Sequence, residues 1–174
     1  KQVLKSHYQN LTLYTMWRAY NMKTDMINPN SRSYGSSRRN SVFVPDAATY
    51  TILAEDSGRI HVCPDLTADI VISLPAEEIG LSYEFWYGGT AADAQDWQFD
   101  TGANVNFFIG GLVHSDSDGE LTATVDSDNN SNSKVSVLTP IGGTMVKFVC
   151  DGLNWYLNGH VVSATNTAVV FADQ

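Results

Sequence analysis

From Ser41 onward, apolar and polar residues alternate with a period of two. Val42 and Val44, Ile60 and Val62, Ile70, Ile72 and Leu74, and Leu81, Tyr83, Phe85 and Tyr87 open the series. It continues through Trp97 and Phe99, Val105, Phe107 and Ile109, Leu121, Ala123 and Val125, and Val135 and Val137, and ends with Val146, Phe148 and Cys150, Trp155 and Leu157, and Val169 and Phe171. This is the period of strands that turn one face to a core. Turn-forming clusters separate the runs: Asp56-Ser57-Gly58, Pro75 to Gly80, Gly88-Gly89, Asp100 to Gly102, Gly110-Gly111, Asp118-Gly119, Asp126 to Ser133, Gly142-Gly143, Asp151-Gly152 and Asn158-Gly159. A turn every ten residues or so predicts a sandwich or jelly roll. No run is followed by a helical segment, so βαβ crossovers and a parallel sheet are not expected. No motif recurs, which argues against a propeller. The expected fold class is all-β: an antiparallel β-sandwich or jelly-roll-like domain over residues 41–174, preceded by an extended N-terminal arm over residues 1–40.

The arm has neither strand nor helix periodicity, apart from a short stretch from Leu11 to Met22 that Asn28-Pro29-Asn30-Ser31 would end. Charge sets it apart more sharply. Residues 1–40 hold seven Lys/Arg against Asp25, a net of +6, while the rest holds three bases and eighteen acids, a net of −15. Such asymmetry marks an interaction segment for an acidic or anionic partner. Because Leu11, Leu13, Tyr14, Met16, Trp17 and Tyr20 make the arm too apolar for a solvated tail, it is expected to lie on a surface. No stretch approaches the ~20 apolar residues that span a bilayer, and no charged-then-apolar leader is present, so neither a membrane partner nor an export signal is expected.

Candidate chemistry changes this picture little. His7, His61, His114 and His160 show no metal-ligand spacing, and the common hydrolase and nucleotide motifs are absent, so no catalytic residue, metal or cofactor is expected. Asp116, Asp118 and Gly119 echo part of a calcium loop without the offsets that a complete one needs, and a hairpin turn is the plainer reading. Asp126 to Ser133 is expected to be a mobile surface loop. Asp93, Asp96 and Asp100 lie near Trp97 as paired glycosidase carboxylates would, yet Trp97 alternates with Phe99 and is expected in the core. Cys63 is expected to point away from the face shared by Cys150, Val146 and Phe148, so no disulfide between the two is expected. Trp86 stands opposite Leu81, Tyr83, Phe85 and Tyr87, an outward position that suggests an interface.

Three segments resemble a known pattern: Glu55-Asp56-Ser57-Gly58 leading to Leu66-Thr67-Ala68-Asp69-Ile70-Val71-Ile72-Ser73-Leu74-Pro75-Ala76; Gly80-Leu81-Ser82-Tyr83-Glu84-Phe85; and Met145-Val146-Lys147-Phe148-Val149-Cys150-Asp151-Gly152-Leu153-Asn154-Trp155-Tyr156-Leu157-Asn158-Gly159. Their order resembles the small β domains of tailed-phage virions, notably head decoration (capsid cement) proteins. Without the family, the same residues read as turns and core: Pro75 ends a strand, and the Asp-Gly and Asn-Gly pairs bracket a short strand that turns Trp155 inward. The resemblance implies a non-enzymatic virion protein on the outer capsid surface of a bacteriophage, assembled in the host cytoplasm. It would stabilise the shell by cementing neighbouring major capsid protein subunits, as a homo-oligomer, a trimer by preference or else a dimer. The arm lies outside the match. It is expected to contact the capsid through Tyr14, Trp17, Arg18, Tyr20, Arg32, Arg38 and Arg39. A tail fibre or spike component is the structural alternative, and a carbohydrate-binding module using Trp86 is the alternative from another class. Nucleic acid is disfavoured because phosphate would repel the acidic body.

Overall fold

The computed structural model describes residues 41–89 and 95–174. Twelve strands run through them: β1 (Ser41–Phe43), β2 (Thr49–Thr51), β3 (Ile60–Cys63), β4 (Ile70–Ser73), β5 (Ser82–Tyr87), β6 (Trp97–Asp100), β7 (Phe108–Asp116), β8 (Thr122–Asp126), β9 (Lys134–Val137), β10 (Met145–Cys150), β11 (Trp155–Ser163) and β12 (Val169–Ala172). One 3-10 turn, Ala54–Asp56, interrupts them. A seven-stranded sheet in the order β1-β3-β5-β10-β11-β7-β8 faces a five-stranded sheet in the order β12-β9-β6-β4-β2. The all-β sandwich holds.

The strand pairing corrects the expectation of antiparallel sheets, for both sheets are mixed. β1, β3 and β5 are parallel neighbours in one sheet, and β2, β4 and β6 are parallel neighbours in the other. The chain passes from sheet to sheet with each strand, so it winds as a two-sheet coil from β1 to β6. Parallel strands need a crossover of about a dozen residues, usually a helix. Here a strand of the opposite sheet fills that role, and a helix is unnecessary. Successive turns advance by unequal steps, from Ser41 to Ile60 and then to Glu84 in register, which hides the coil from a search for repeats. β2 escaped notice because Thr-Tyr-Thr offers one apolar residue.

The core lies between the sheets and is aromatic. Phe85 sits at its centre, with ring centroids 4.9 Å from Phe99, 5.9 Å from Phe148 and 6.0 Å from Trp97. Phe99 and Phe148 are themselves 4.9 Å apart. Trp97 and Trp155 are fully buried, as their alternation predicted.

Two strands have the opposite phase from that expected. In β3, His61 and Cys63 face inward while Ile60 is exposed, and near β7 it is Phe108 that enters the core while Val105 is exposed. Cys63 and Cys150 are therefore both buried, yet both are free thiols. Cys63 stands opposite Tyr87 at one end of β5, whereas the Cys150 amide donates to the Leu81 carbonyl at the other end, too far for a disulfide.

Three glycines expected in turns lie inside strands instead. Gly110 and Gly111 are in β7, and Gly159 is in β11, paired with Leu112 while Leu157 pairs with Gly110. They let backbones meet closely: a Cβ on Gly110 would collide with the Leu157 carbonyl oxygen, and one on Gly159 with that of Met145. Gly110 also holds φ at +107°. Relieved of these two turns, β7 and β11 extend to nine residues each.

The genuine turns are tied by side chains. In Asp151-Gly152-Leu153-Asn154, Asp151 Oδ1 accepts the amides of Leu153 at 2.8 Å and Asn154 at 2.7 Å. Those amides hold the Asp151 carboxyl below the usual carboxylate range. The Ser57 hydroxyl accepts the Ser82 amide at 3.0 Å, which fastens the first turn to the start of β5.

His61 is fully buried, stacked on Phe85 at 4.7 Å, and neither ring nitrogen closes a hydrogen bond. Burial pushes its pKa down, opposed by the Asp56 charge and by the backbone at Arg59 and Glu84.

Gly110→Ala, which strains both φ and the Leu157 contact, should cost about 3 kcal/mol in urea denaturation. Gly58→Ala, where φ is +80° but no atom lies within 4 Å of the new Cβ, should cost only about 1 kcal/mol. The pH dependence of His61 has a definite sign. Its folded pKa lies below the ordinary 6.5, so the unfolded chain takes up the proton first and stability falls as pH drops below that value. Denaturation at about pH 7.5 and about pH 5.5 should show this loss, and His61→Leu should flatten it.

Candidate functional site

The alternation that buries Tyr83, Phe85 and Tyr87 turns Trp86 outward, as expected, with 40% of its surface exposed. It does not stand alone. Strand register places Phe43, Val62, Trp86, Met145, His160 and Val113 in one row across six strands on the outer face of the seven-stranded sheet. Phe43 is 78% exposed, and Val113 is exposed as well. A parallel row carries Ile60, Glu84, Lys147, Asn158 and Gly111, and beyond it lie Val149 and Tyr156, both exposed.

Charge is scarce on this face. Among the described residues, only Glu84 and Asp126 of the acids project from its strands, Lys147 is the one cation on those strands, and Arg59 borders the face from the loop before β3. Glu84 and Lys147 are direct cross-strand neighbours at its centre. Trp86 Nε1–H donates to Glu84 Oε1 at 2.6 Å, which fixes the indole on the surface. The five-stranded sheet provides the contrast: beside Val71 and Val170, its outward residues include Thr49, Thr51, Ser73, Gln98, Asp100, Lys134 and Ser136, mostly polar and without an aromatic. An apolar outer face is therefore no requirement of the sandwich. Exposed aromatic and aliphatic residues in one contiguous field mark a contact surface.

A concavity lies on the same face, lined by Gly58, Arg59, Ile60, Ser82, Tyr83, Glu84 and Lys147. Its volume of about 120 Å³ falls short of the ~300 Å³ at which small-molecule sites begin. Such a dent accepts one side chain of a partner more readily than a cofactor or a sugar. Arg59, which lines it, is tied to Asp56 at 2.7 Å.

The other candidates resolve into local structure. Asp116 Oδ1 accepts the Asp118 amide at 3.1 Å in the turn between β7 and β8. That amide and the Asp118 carboxyl hold Asp116 low, while the hydrogen bond and charge of Asp116 push Asp118 up. Asp128 organises the loop expected to be mobile. Its Oδ1 accepts the amides of Asn130, Ser131 and Asn132 at 3.0, 2.9 and 3.2 Å, and Oδ2 accepts the Ser131 hydroxyl at 2.7 Å. These donors, the Ser131 amide foremost, hold its carboxyl far below the usual range. Asp96 and Asp100 flank and end β6, four residues apart, roughly 13 Å at strand rise. That exceeds the ~9.5 Å upper separation of paired glycosidase carboxylates. Burial raises both pKa values. Among the described residues, no group of three or more His, Cys, Asp or Glu is placed to hold a metal.

One pair was invisible in the sequence. Ser115 Oγ and His160 Nε2 meet at 2.9 Å across β7 and β11, forty-five positions apart, with no shared motif to announce them. No carboxylate among the described residues bonds the other nitrogen of His160, so the pair lacks the orienting acid of a triad. Tyr14, Trp17, Arg18, Tyr20, Arg32, Arg38, Arg39 and Asp93 lie outside the described residues.

No protein-family model matches the chain, and no curated protein matches it.

If the outer row serves contact rather than folding, its removal must leave stability intact. Trp86→Ala should shift unfolding by less than about 1 kcal/mol, whereas Trp97→Ala, which empties the centre of the core, should cost about 3–5 kcal/mol. Parallel urea melts followed by circular dichroism check both.

Proposed function

We propose that this chain is a non-enzymatic virion structural protein of the head decoration type, binding the outer capsid surface and cementing neighbouring major capsid protein subunits. The observation that carries this reading is the apolar, nearly uncharged outer face of the seven-stranded sheet on a body of net charge −15. A cement layer must join its chains to one another as well as to the shell, and a flat sheet face bearing Trp86, Phe43, Val113 and Tyr156 supplies one such chain-to-chain contact without a pocket. The ordered resemblance of the turn and core segments supports the same reading. So does the split between a +6 arm and a −15 body, because cementing calls for at least two contact regions per chain. In this reading the arm engages the capsid, and its Arg18, Arg32, Arg38 and Arg39 pair with acidic or polar lattice surface. Ordering forty residues costs conformational entropy, which only an extensive contact offsets.

Purified chain added to undecorated capsids should co-sediment with them and raise their melting temperature. Deleting residues 1–40 should abolish both effects. Absence of co-sedimentation by the full chain would overturn the capsid reading, and undiminished binding after the deletion would remove the arm from it.

A further inference from the structure

The outer face of the seven-stranded sheet is self-complementary. We propose that it is the interface with a second copy of this chain, paired face to face about a twofold axis that runs parallel to the strands between β5 and β10. Such an axis places β5 of one copy over β10 of the other, β3 over β11, and β1 over β7. Positions along the strands are preserved, so each row meets itself. Glu84 then faces Lys147 of the second copy and Lys147 faces its Glu84, because the two are cross-strand partners on either side of the axis. In the next row the same operation sets Trp86 on Met145, Val62 on His160 and Phe43 on Val113. Opposite charges meet twice, and the apolar residues are covered.

Charge favours this occupant and this face. Two bodies of net charge −15 repel through most of their surfaces. Among the described residues, the strands of this face bear only Glu84, Lys147 and Asp126; the twofold pairing neutralises the first two, and Arg59 at the edge is already paired with Asp56. The symmetry is isologous, so one surface patch suffices for both copies. Six facing strands, with β8 beyond the overlap, at ~4.8 Å spacing and about five residues of strand length at ~3.4 Å make a footprint of roughly 500 Å² per copy. Two copies then bury about 1,000 Å², the lower bound for a specific interface. A dimer in micromolar exchange is expected, and of the two assemblies anticipated from the sequence this pairing selects the dimer. The inference rests on reading the face as a contact surface and is independent of the capsid.

Sedimentation equilibrium of the full chain tests it. The wild-type chain should associate to a dimer. Lys147→Glu places two carboxylates against each other at both contacts, and Glu84→Lys places two ammonium groups there. Each should weaken association tenfold or more. The combined variant Glu84→Lys with Lys147→Glu restores opposite charges and should return the dissociation constant to within about threefold of wild type. Melting curves check that all variants are folded, and Trp86→Ala supplies a charge-independent disruption. A monomer at 100 micromolar, a trimer, a dimer indifferent to both single reversals, or folded double variants that fail to recover would each overturn the proposal. Capsid binding by a chain that stays monomeric would sink this inference while leaving the cement reading in place.

Discussion

The contact of Phe85 with Phe99 and Phe148 holds the molecule together. Phe85 and Phe148 come from adjacent strands of the seven-stranded sheet, and Phe99 comes from the centre of the other sheet, so this triangle joins the two layers. Aromatic rings at these separations contribute edge-to-face attraction beyond the burial of their area. The cluster also fixes strand phase. With Phe85 inward, Trp86 must point out, and β10 in register carries Met145 and Lys147 out beside Trp86 and Glu84. Core packing on one side of β5 thus dictates the composition of the contact face on the other.

The same coupling explains what was legible in the sequence. Where an apolar residue alternates with a polar one, as in Lys134-Val135-Ser136-Val137 or Trp97-Gln98-Phe99-Asp100, the inward set is plain and the structure agrees. Where the outer face is itself apolar, alternation loses its contrast. In Ile60-His61-Val62-Cys63 the two aliphatic residues belong outside, and a neutral imidazole stacked on Phe85 belongs inside. Glycine misled for a related reason. Gly110, Gly111 and Gly159 carry the composition of turns, but a glycine needed for close backbone approach in mid-sheet looks the same in one dimension. The parallel coil was illegible because sequence-based rules assign crossovers to helices, and here a strand of the facing sheet does that work. As for the candidate site, Trp86 alone was readable. Its row joins residues from six strands, and register is a property that no local pattern encodes.

The distribution of charge shows which features serve the fold. Much of the acidic content is engaged in local geometry: Asp128 and Asp151 bind backbone amides in loops, Asp116 shapes a hairpin, and Asp56 holds Arg59. These carboxylates replace the hydrogen bonds that irregular backbone cannot make with itself, the usual reason for acids in turns. Strand surfaces have no such need. That the outer face of the smaller sheet is rich in Thr, Ser and Gln shows how this sandwich treats a face left to water.

Against that standard, the larger sheet's face is anomalous in a specific way. Exposing Phe43, Trp86, Val113 and Tyr156 brings no core packing, because the residues that fill the core are their neighbours on the opposite parity. Exposed apolar surface in water is unfavourable by about 25 cal/mol per Å² relative to its covered state, so a field of this breadth represents a standing driving force for association. The coil topology makes that field possible. Winding from sheet to sheet keeps β1, β3 and β5 side by side and in parallel register, and β10, β11 and β7 extend the plane without a break. The pairing of Glu84 with Lys147 across the middle of this plane adds orientation to adhesion. Apolar rows alone allow any sliding of one face on another, whereas a single opposed pair of charges selects the register in which each meets its complement. Adhesion and register are the two properties that a structural protein must draw from one surface, and both derive from residues that the folding of the domain leaves free.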